Sequence, residues 1–192
     1  MKFSYNRVKA KSDEALMSLI ASNNRFAFEE LYNRYSKKML IYFYRMLYRD
    51  YEKAKDFMQD LFLKIIEKSK SFDSQKIFST WIYTLASNMC KNEYKKMEIR
   101  IEHLKNESIK TRVTESSFNE IDLKSFAKAL YNSIEKMDYE HKTTFLLRYG
   151  NELSIKEIAE IFKCPEGTVK SRLFYTIKYL SEKLTIYDPK VS

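Results

Sequence analysis

Cationic and hydroxyl side chains cluster near the end of the chain, on one face of a stretch with helical periodicity. The residues predicted to face away from its apolar side are Lys170, Ser171, Arg172, Tyr175 and Lys178. Lysine and arginine bind phosphate groups or the edge of guanine, and a serine hydroxyl can bind either. The sequence has no Gly-rich phosphate loop and no recognisable Ser/His/Asp arrangement, so we expect binding and not catalysis.

Two predicted helices and the tight turn between them position this basic face. Ser154 and Glu157 have the spacing of a capping box and predict the start of the first helix. Pro165 and Gly167 predict its end, and Thr168 is predicted to cap the second helix. This layout is that of a helix-turn-helix, whose second helix enters the major groove of DNA. A helical hairpin with a solvated basic face is the alternative, but cap, turn and basic helix together favour DNA binding.

The composition of the 192 residues favours a helical protein with a polyanionic partner. A formal net charge of +9 suits nucleic acid, although it also suits an anionic membrane surface. Two glycines and two prolines leave little turn chemistry for a sheet, so the helical periodicity predicts an all-α fold. The sequence has neither an apolar run long enough to cross a bilayer nor a signal segment, which predicts a cytoplasmic protein without membrane insertion.

The cysteines and histidines are too far apart in the sequence to indicate a metal site. Cys90 and Cys164 have no neighbouring Cys/His set, so we expect neither a zinc site nor a disulfide. His103 and His141 are isolated and are interpreted as surface residues. We therefore expect no metal, no cofactor and no enzymatic activity.

Helical periodicity fills two blocks of the chain, residues 12–98 and residues 122–187. Residues 99–121 lose this periodicity and gather Glu, Lys, Asn, Ser and Thr. The sequence therefore predicts two small helical domains joined by a linker that is flexible or only partly helical, with the helix-turn-helix in the second domain.

A predicted helix after Asp50 carries an acidic and polar face opposite a broad apolar one. The residues of this face that we single out are Asp56, Gln59, Asp60 and Lys64. Acidic side chains next to DNA phosphates are repelled, so this face is not directed at DNA. It is either solvated surface or a docking site for another protein, and the residues alone leave both possibilities open.

Residues 69–78 interrupt the helical period and place Phe72, Ile77 and Phe78 among polar residues such as Lys76. Apolar residues in such a loop either pack into the core or bind a ligand, and the sequence leaves this open. Ser79 is predicted to cap the next helix. The outer face of that helix carries hydrogen-bond donors suited to a phosphate backbone: Asn88, Lys91, Asn92, Lys95 and Lys96. Exposed aromatic rings beside such a row suit single-stranded DNA.

Five segments, in this order and at this spacing, carry a family resemblance over residues 15–184. They are FEELYNRYSKKML, KAKDFMQDLFLKIIEKSKSF, FSTWIYTLASNMCKNEYKK, LLRYGNELSIKEIAEIF and CPEGTVKSRL. Together they resemble the extracytoplasmic-function sigma factors, compact specificity subunits of bacterial RNA polymerase. Lys163 stands where the family usually has glycine, so a left-handed backbone there would cost about 1 kcal/mol. Phe174 to Ile177 replace a basic run that is common in the family.

The resemblance implies a protein that binds core polymerase, recognises the −10 and −35 promoter elements and promotes DNA opening. It implies docking on the β′ clamp helices through Asp56, Gln59, Asp60 and Lys64, and it adds the β subunit as a partner. For the −10 element it implies Phe72, Lys76, Ile77, Phe78, Asn88, Lys91, Asn92 and Lys95. For the −35 element it implies Thr168, Lys170, Ser171, Arg172, Tyr175 and Lys178. An anti-sigma factor is a further partner that the resemblance raises.

A different class of function also fits the helix-turn-helix. A transcriptional repressor or activator would bind duplex DNA without polymerase, at a palindromic site. The acidic face beside the aromatic loop argues against this alternative, because a dimerisation domain does not need it.

Overall fold

The computed structural model describes residues 8–106 and 123–187, and no strand occurs within these two ranges. The α-helices are, in chain order, α1 (Asp13–Ala21), α2 (Arg25–Met46), α3 (Tyr51–Lys68), α4 (Phe78–Asn106), α5 (Leu123–Glu135), α6 (Tyr139–Phe145), α7 (Ile155–Phe162) and α8 (Glu166–Lys183). Short helical turns cover Ser69–Ser71, Leu146–Gly150 and Thr185–Tyr187. The predicted all-α class is confirmed.

Side-chain caps fix where the first three helices begin. Ser12, Asn24 and Asp50 each accept the backbone N–H three residues further on, at 3.0–3.3 Å. Such caps satisfy N–H groups that have no partner within the helix. The helices then bury their apolar faces against one another, and the fully buried side chains of this block include Leu16, Met17, Leu31, Met39, Phe43, Leu61 and Ile65.

The helix-turn-helix is formed by α7 and α8. The predicted capping box at Ser154 is present, with Ser154 Oγ accepting from Glu157 N at 3.2 Å and the Glu157 carboxylate accepting from Ser154 N at 2.8 Å. Lys163 ends α7 in the left-handed conformation, with φ 52° and ψ 47°. Val169 is buried between the two helices and the rest of the core.

Two predicted helix starts are wrong by two or three residues. Helix α8 begins at Glu166 directly after Pro165, and Thr168 lies in its first turn, where its N–H donates to Pro165 O at 3.0 Å. Proline fixes its own φ and so sets the start of the helix upstream of Thr168. Helix α4 begins at Phe78, so Ser79 is its second residue and not its cap.

Helix α4 continues through Asn106, into the segment predicted to be a linker that is flexible or only partly helical. The rest of that predicted linker, to residue 121, lies outside the described residues. Within the described ranges, no helix is long and apolar enough to cross a membrane.

The two predicted domains pack directly against each other through α4, α6, α7 and the end of α2. Tyr139 Oη donates to Ser87 O at 2.7 Å, and Tyr83 Oη donates to Asn151 Oδ1 at 2.8 Å. Lys142 of α6 is fully buried, and its Nζ lies 3.4 Å from Met46 O at the end of α2. The sequence predicted a tether between these blocks but gave no signal for this contact.

Candidate polymerase-binding and nucleic-acid-binding surfaces

The acidic face of α3 is solvent-exposed. Asp56, Gln59 and Asp60 are exposed and Lys64 is half-buried, while the opposite side of α3 packs into the core. Leu63, which we did not single out from the sequence, is 58% exposed one turn beyond Asp60. The signal that could have revealed it is its spacing, because positions 56, 60 and 63 share one side of a helix.

An exposed leucine within an acidic face suits contact with a protein that brings both apolar and basic groups. Ile66, one turn after Leu63, is 45% exposed and enlarges the exposed apolar area. The carboxylates would be repelled by a phosphate backbone. We define the docking face as Asp56, Gln59, Asp60, Leu63 and Lys64.

Phe78 packs into the core, which is one of the two possibilities that the sequence left open for the apolar residues of this loop. Its side chain is 0% exposed, and its ring contacts those of Tyr35 and Phe72 at centroid distances of 5.1 and 6.0 Å. Phe78 is the first residue of α4, and this position turns its ring onto the apolar side that meets α2. Phe72 and Trp81 are half-buried, with ring centroids 5.1 Å apart.

Residues 73–77 of this loop are exposed, and we define the loop tip as Lys76 and Ile77, the latter 53% exposed. Asp73 shapes the tip, because its carboxylate accepts Gln75 N–H and its carbonyl accepts Lys76 N–H, both at 3.0 Å. An aspartate that bonds the backbone two residues on makes a local turn. Sequence reasoning missed this role of Asp73, although aspartate in a loop is a known turn signal.

The donor row of α4 is exposed as predicted at Asn88, Lys91, Asn92, Lys95 and Lys96. The opposite side of the helix is buried, with Ile82, Ala86 and Cys90 at 0% exposure. Burial raises the pKa of the Cys90 thiol, so it stays protonated as a core residue. Amide and ammonium donors at this spacing can follow a nucleic-acid backbone.

The outer face of α8 presents Lys170, Ser171, Tyr175 and Lys178 to solvent, and Thr168 is half-buried in its first turn. Phe174, a residue that our sequence reasoning did not assign to this face, is 63% exposed, and its ring contacts that of Tyr175 at 5.4 Å. The basic groups are therefore accompanied by exposed aromatic area on the same helix.

Arg172 does not share this outward orientation, and that part of the prediction is wrong. Its guanidinium lies over the ring of Phe162 in α7, 5.3 Å from the ring centroid, and its Nη1 is buried without a hydrogen-bond partner. Planar guanidinium groups stack well on aromatic faces, which explains the inward turn.

Within residues 8–106 and 123–187, no group of His, Cys, Asp and Glu side chains could hold a metal ion. His141 instead pairs with Asp138, its Nδ1 lying 2.7 Å from Asp138 Oδ2. Burial acts against ionisation of Asp138, but hydrogen bonds from the His141 backbone and ring outweigh it and lower the pKa of this carboxyl.

Comparison with known protein families matches both blocks. Residues 31–98 match the family model of Sigma-70 region 2, and residues 127–179 match that of Sigma-70, region 4. The chain is 29% identical over 182 residues to the ECF RNA polymerase sigma-E factor of Haemophilus influenzae, covering 90% of this chain and 95% of that one. It is 26% identical over 166 residues to the ECF RNA polymerase sigma factor SigW of Bacillus subtilis, covering 80% and 87%.

Solved structures share the fold. CnrH, in complex with the cytosolic domain of CnrY, matches with a TM-score of 0.67 and 18% identity over 92% of this chain and 99% of that one. The sigma factor RpoE from Bartonella quintana, in complex with the anti-sigma factor NepR, matches with a TM-score of 0.64 and 21% identity over 83% and 97%.

These matches define a bacterial transcription initiation factor built from sigma regions 2 and 4. The chain belongs to the sigma-70 family, as an RNA polymerase sigma factor of the extracytoplasmic-function type. It binds core RNA polymerase, recognises the −10 and −35 promoter elements and promotes DNA opening, and it is not an enzyme. The region 2 match decides against a regulator that acts without polymerase.

Proposed function

We propose that three surfaces of this sigma factor have separate binding roles in transcription initiation. The docking face on α3 binds the β′ clamp helices of core polymerase. The loop tip and the donor row of α4 act on the −10 element, and the outer face of α8 reads the −35 element. The observation that carries this proposal is the separation of three exposed faces, because the acidic docking face lies on α3, the donor row lies on α4 and the basic outer face lies on α8.

Docking through α3 follows from its charge and its apolar area. The exposed carboxylates of Asp56 and Asp60 exclude a phosphate partner, and Leu63 offers apolar surface whose burial contributes about 25 cal/mol per Å². A helical protein surface with basic side chains satisfies both features. The clamp helices of β′ fit this description. We propose a further contact between the C-terminal block and the β subunit.

Action on the −10 element follows from the loop tip. Extrusion of a base costs a few kcal/mol, so the protein must offer compensating contacts to the base and to the separated strand. Lys76 and Ile77 are exposed to meet the extruded base, and the half-buried rings of Phe72 and Trp81 form the apolar floor behind them. Phe78 supports this floor from the core and does not touch DNA.

The donor row holds the strand beside the loop tip. Its members that we assign to −10 DNA are Asn88, Lys91, Asn92 and Lys95. Each offers an exposed N–H donor, and phosphate contacts of this kind position a protein on DNA without reading sequence.

Recognition of the −35 element follows from the helix-turn-helix. We assign Lys170, Ser171, Tyr175 and Lys178 to direct contact in the major groove, with Thr168 at the entering end of α8. Arg172 holds α8 against α7 through Phe162, and its contribution to DNA binding is therefore through position.

Binding both promoter elements requires the two blocks to separate. The elements lie about 25 base pairs apart, which is about 85 Å at 3.4 Å per base pair. A compact chain of 192 residues has a radius of gyration of only about 16 Å. The closed arrangement, with Tyr139 bonded to Ser87 and Lys142 buried against α2, must therefore open on the promoter.

An anti-sigma protein is a further proposed partner. CnrH and RpoE were each solved in complex with another protein, the cytosolic domain of CnrY and the anti-sigma factor NepR. A protein of that kind would bind the present chain and keep its DNA-binding surfaces from the promoter. We also propose that the chain acts in the cytoplasm, where bacterial RNA polymerase works.

The test is capture of purified bacterial core polymerase by this chain, followed by permanganate footprinting of a promoter. We expect stoichiometric capture and newly reactive thymines near the start site. Asp60→Lys should abolish capture, whereas Lys170→Ala should leave capture intact and weaken promoter binding by about 1–3 kcal/mol. Glu160→Lys, which reverses an exposed charge on α7, serves as the control. Normal capture by Asp60→Lys would contradict the docking assignment.

A further inference from the structure

The start of α4 is capped by a side chain from α1. The backbone N–H of Phe78 donates to Glu14 Oε1 at 3.0 Å, across 64 positions of sequence. Phe78 is the first residue of α4, and the first N–H groups of a helix have no partner within it. Glu14 therefore provides the helix cap that the sequence pattern predicted from Ser79.

The electrostatics of this contact favour the ionised carboxylate. The hydrogen bond from Phe78 N is the largest influence on the pKa of Glu14 and lowers it below the ordinary value of 4.5, while burial acts in the opposite direction. A negative charge at the N-terminal end of a helix is also favoured by the helix dipole.

Glu14 itself is held at a fixed place in the fold. Its neighbour Asp13 accepts hydrogen bonds from Tyr35 Oη and from Arg34 Nη1, the latter at 2.6 Å. Leu16 and Met17, in the same turn of α1, are both fully buried. The carboxylate of Glu14 is thus a fixed acceptor, and it sets the position of the first residue of α4.

We propose that Glu14 is a positioning residue for promoter opening. This inference rests on the proposed role of the loop tip and the donor row. Lys76 and Ile77 directly precede the capped residue, so a shift of Phe78 N moves the tip and turns the row of α4 together. Misplacement by about 1 Å can cost a large part of the rate of a process that depends on geometry. The docking face on α3 does not share this cap.

The experiment measures promoter opening by polymerase carrying Glu14→Ala or Glu14→Gln. Alanine removes the acceptor, whereas the glutamine amide oxygen still accepts the N–H of Phe78. We expect alanine to slow the appearance of reactive thymines about fivefold, the equivalent of one lost helix cap, and glutamine to keep most of the rate. Affinity for core polymerase should be unchanged in both. The control is Glu29→Ala, which removes a carboxylate of α2 that pairs with Arg25 at 2.8 Å.

Each outcome decides the proposal. A wild-type rate of promoter opening in Glu14→Ala overturns it. A Glu14→Gln variant as slow as Glu14→Ala also overturns it, because the retained acceptor should restore the opening rate. Should Glu14→Ala fail to fold, Glu14→Asp takes its place, and normal opening by that shortened carboxylate overturns the proposal. If the unaltered sigma factor opens no promoter, the assignment of the loop itself fails, which is a separate result.

Discussion

Lys142 is buried between the two blocks, so its substitution is expected to loosen the closed arrangement. Its side chain is 0% exposed, with Nζ 2.7 Å from Glu135 Oε2 and 4.8 and 5.8 Å from the ring centroids of Tyr48 and Tyr94. Burial lowers the pKa of this ammonium, and the Glu135 carboxylate acts to raise it. Glu135 is in the same block as Lys142, whereas the two tyrosines are in the other, so Lys142 helps to hold the closed arrangement.

The size of the effect follows from what each substitution removes. Lys142→Ala deletes three methylene groups, about 2.4 kcal/mol at about 0.8 kcal/mol each. The lost cation–π contact with Tyr48 and the lost hydrogen bond to Met46 O, both made between the blocks, add about 2 kcal/mol, and relief of the buried charge returns a similar amount. We therefore expect alanine to weaken the closed arrangement by about 2–3 kcal/mol. Lys142→Met keeps the apolar stem and should cost less than about 1 kcal/mol. Lys142→Glu places a second carboxylate beside Glu135 and should open the blocks.

The assay is the distance between nitroxides attached at positions 22 and 181, one in each block. Both positions are exposed serines that can be replaced by cysteine. Cys164→Ser removes the half-buried native thiol, and buried Cys90 stays unlabelled. We expect one short distance for the parent and Lys142→Met, and a long, broad distribution for Lys142→Glu. Circular dichroism should show equal helix content in all three. A Lys142→Glu protein with the parent distribution would refute the reasoning.

Three further predictions concern single side chains. Ser154→Ala removes the capping box of α7 and should lower the free energy of unfolding by about 1 kcal/mol in urea titrations, and an unchanged midpoint would contradict the cap. Phe78→Ala should lower that free energy by about 3–5 kcal/mol, whereas Ile77→Ala should leave it within about 0.5 kcal/mol and slow promoter opening, and the reverse pattern would place Ile77 in the core. Glu14 has a lowered pKa in the folded chain, so its stabilising effect is present above about pH 4.5 and is lost as the pH falls through the folded value. The stability difference between the parent and Glu14→Gln should accordingly vanish in acid, and a difference that persists at pH 2 would contradict this.

The sequence was sufficient where the physical signal is local. Ser154 and Glu157 are three residues apart and bond to each other, so the capping box could be predicted without knowledge of the fold. Lys163 adopts the left-handed backbone expected at that point of the turn. The acidic line on α3 was visible for the same reason, because helical spacing alone brings its members to one side.

The sequence was insufficient where a residue far away in the chain determines the position of a side chain or the cap of a helix. Phe78 looked like a loop residue because the helical period breaks before it, but Tyr35 and Phe72 enclose its ring. The ring of Phe162 draws Arg172 away from the outer face of α8. The cap of α4 comes from Glu14, and no short-range pattern links positions so far apart.

The central claim is that two separate surfaces of this sigma factor meet two promoter elements when it is bound to polymerase. Photo-crosslinking tests it most directly, with p-benzoylphenylalanine placed at Ile77 in one protein and at Tyr175 in another. In complexes with core polymerase, we predict that position 77 crosslinks within the −10 element and position 175 within the −35 element. Crosslinks from both positions to the same element, or equal crosslinking to duplex DNA without polymerase, would contradict the claim.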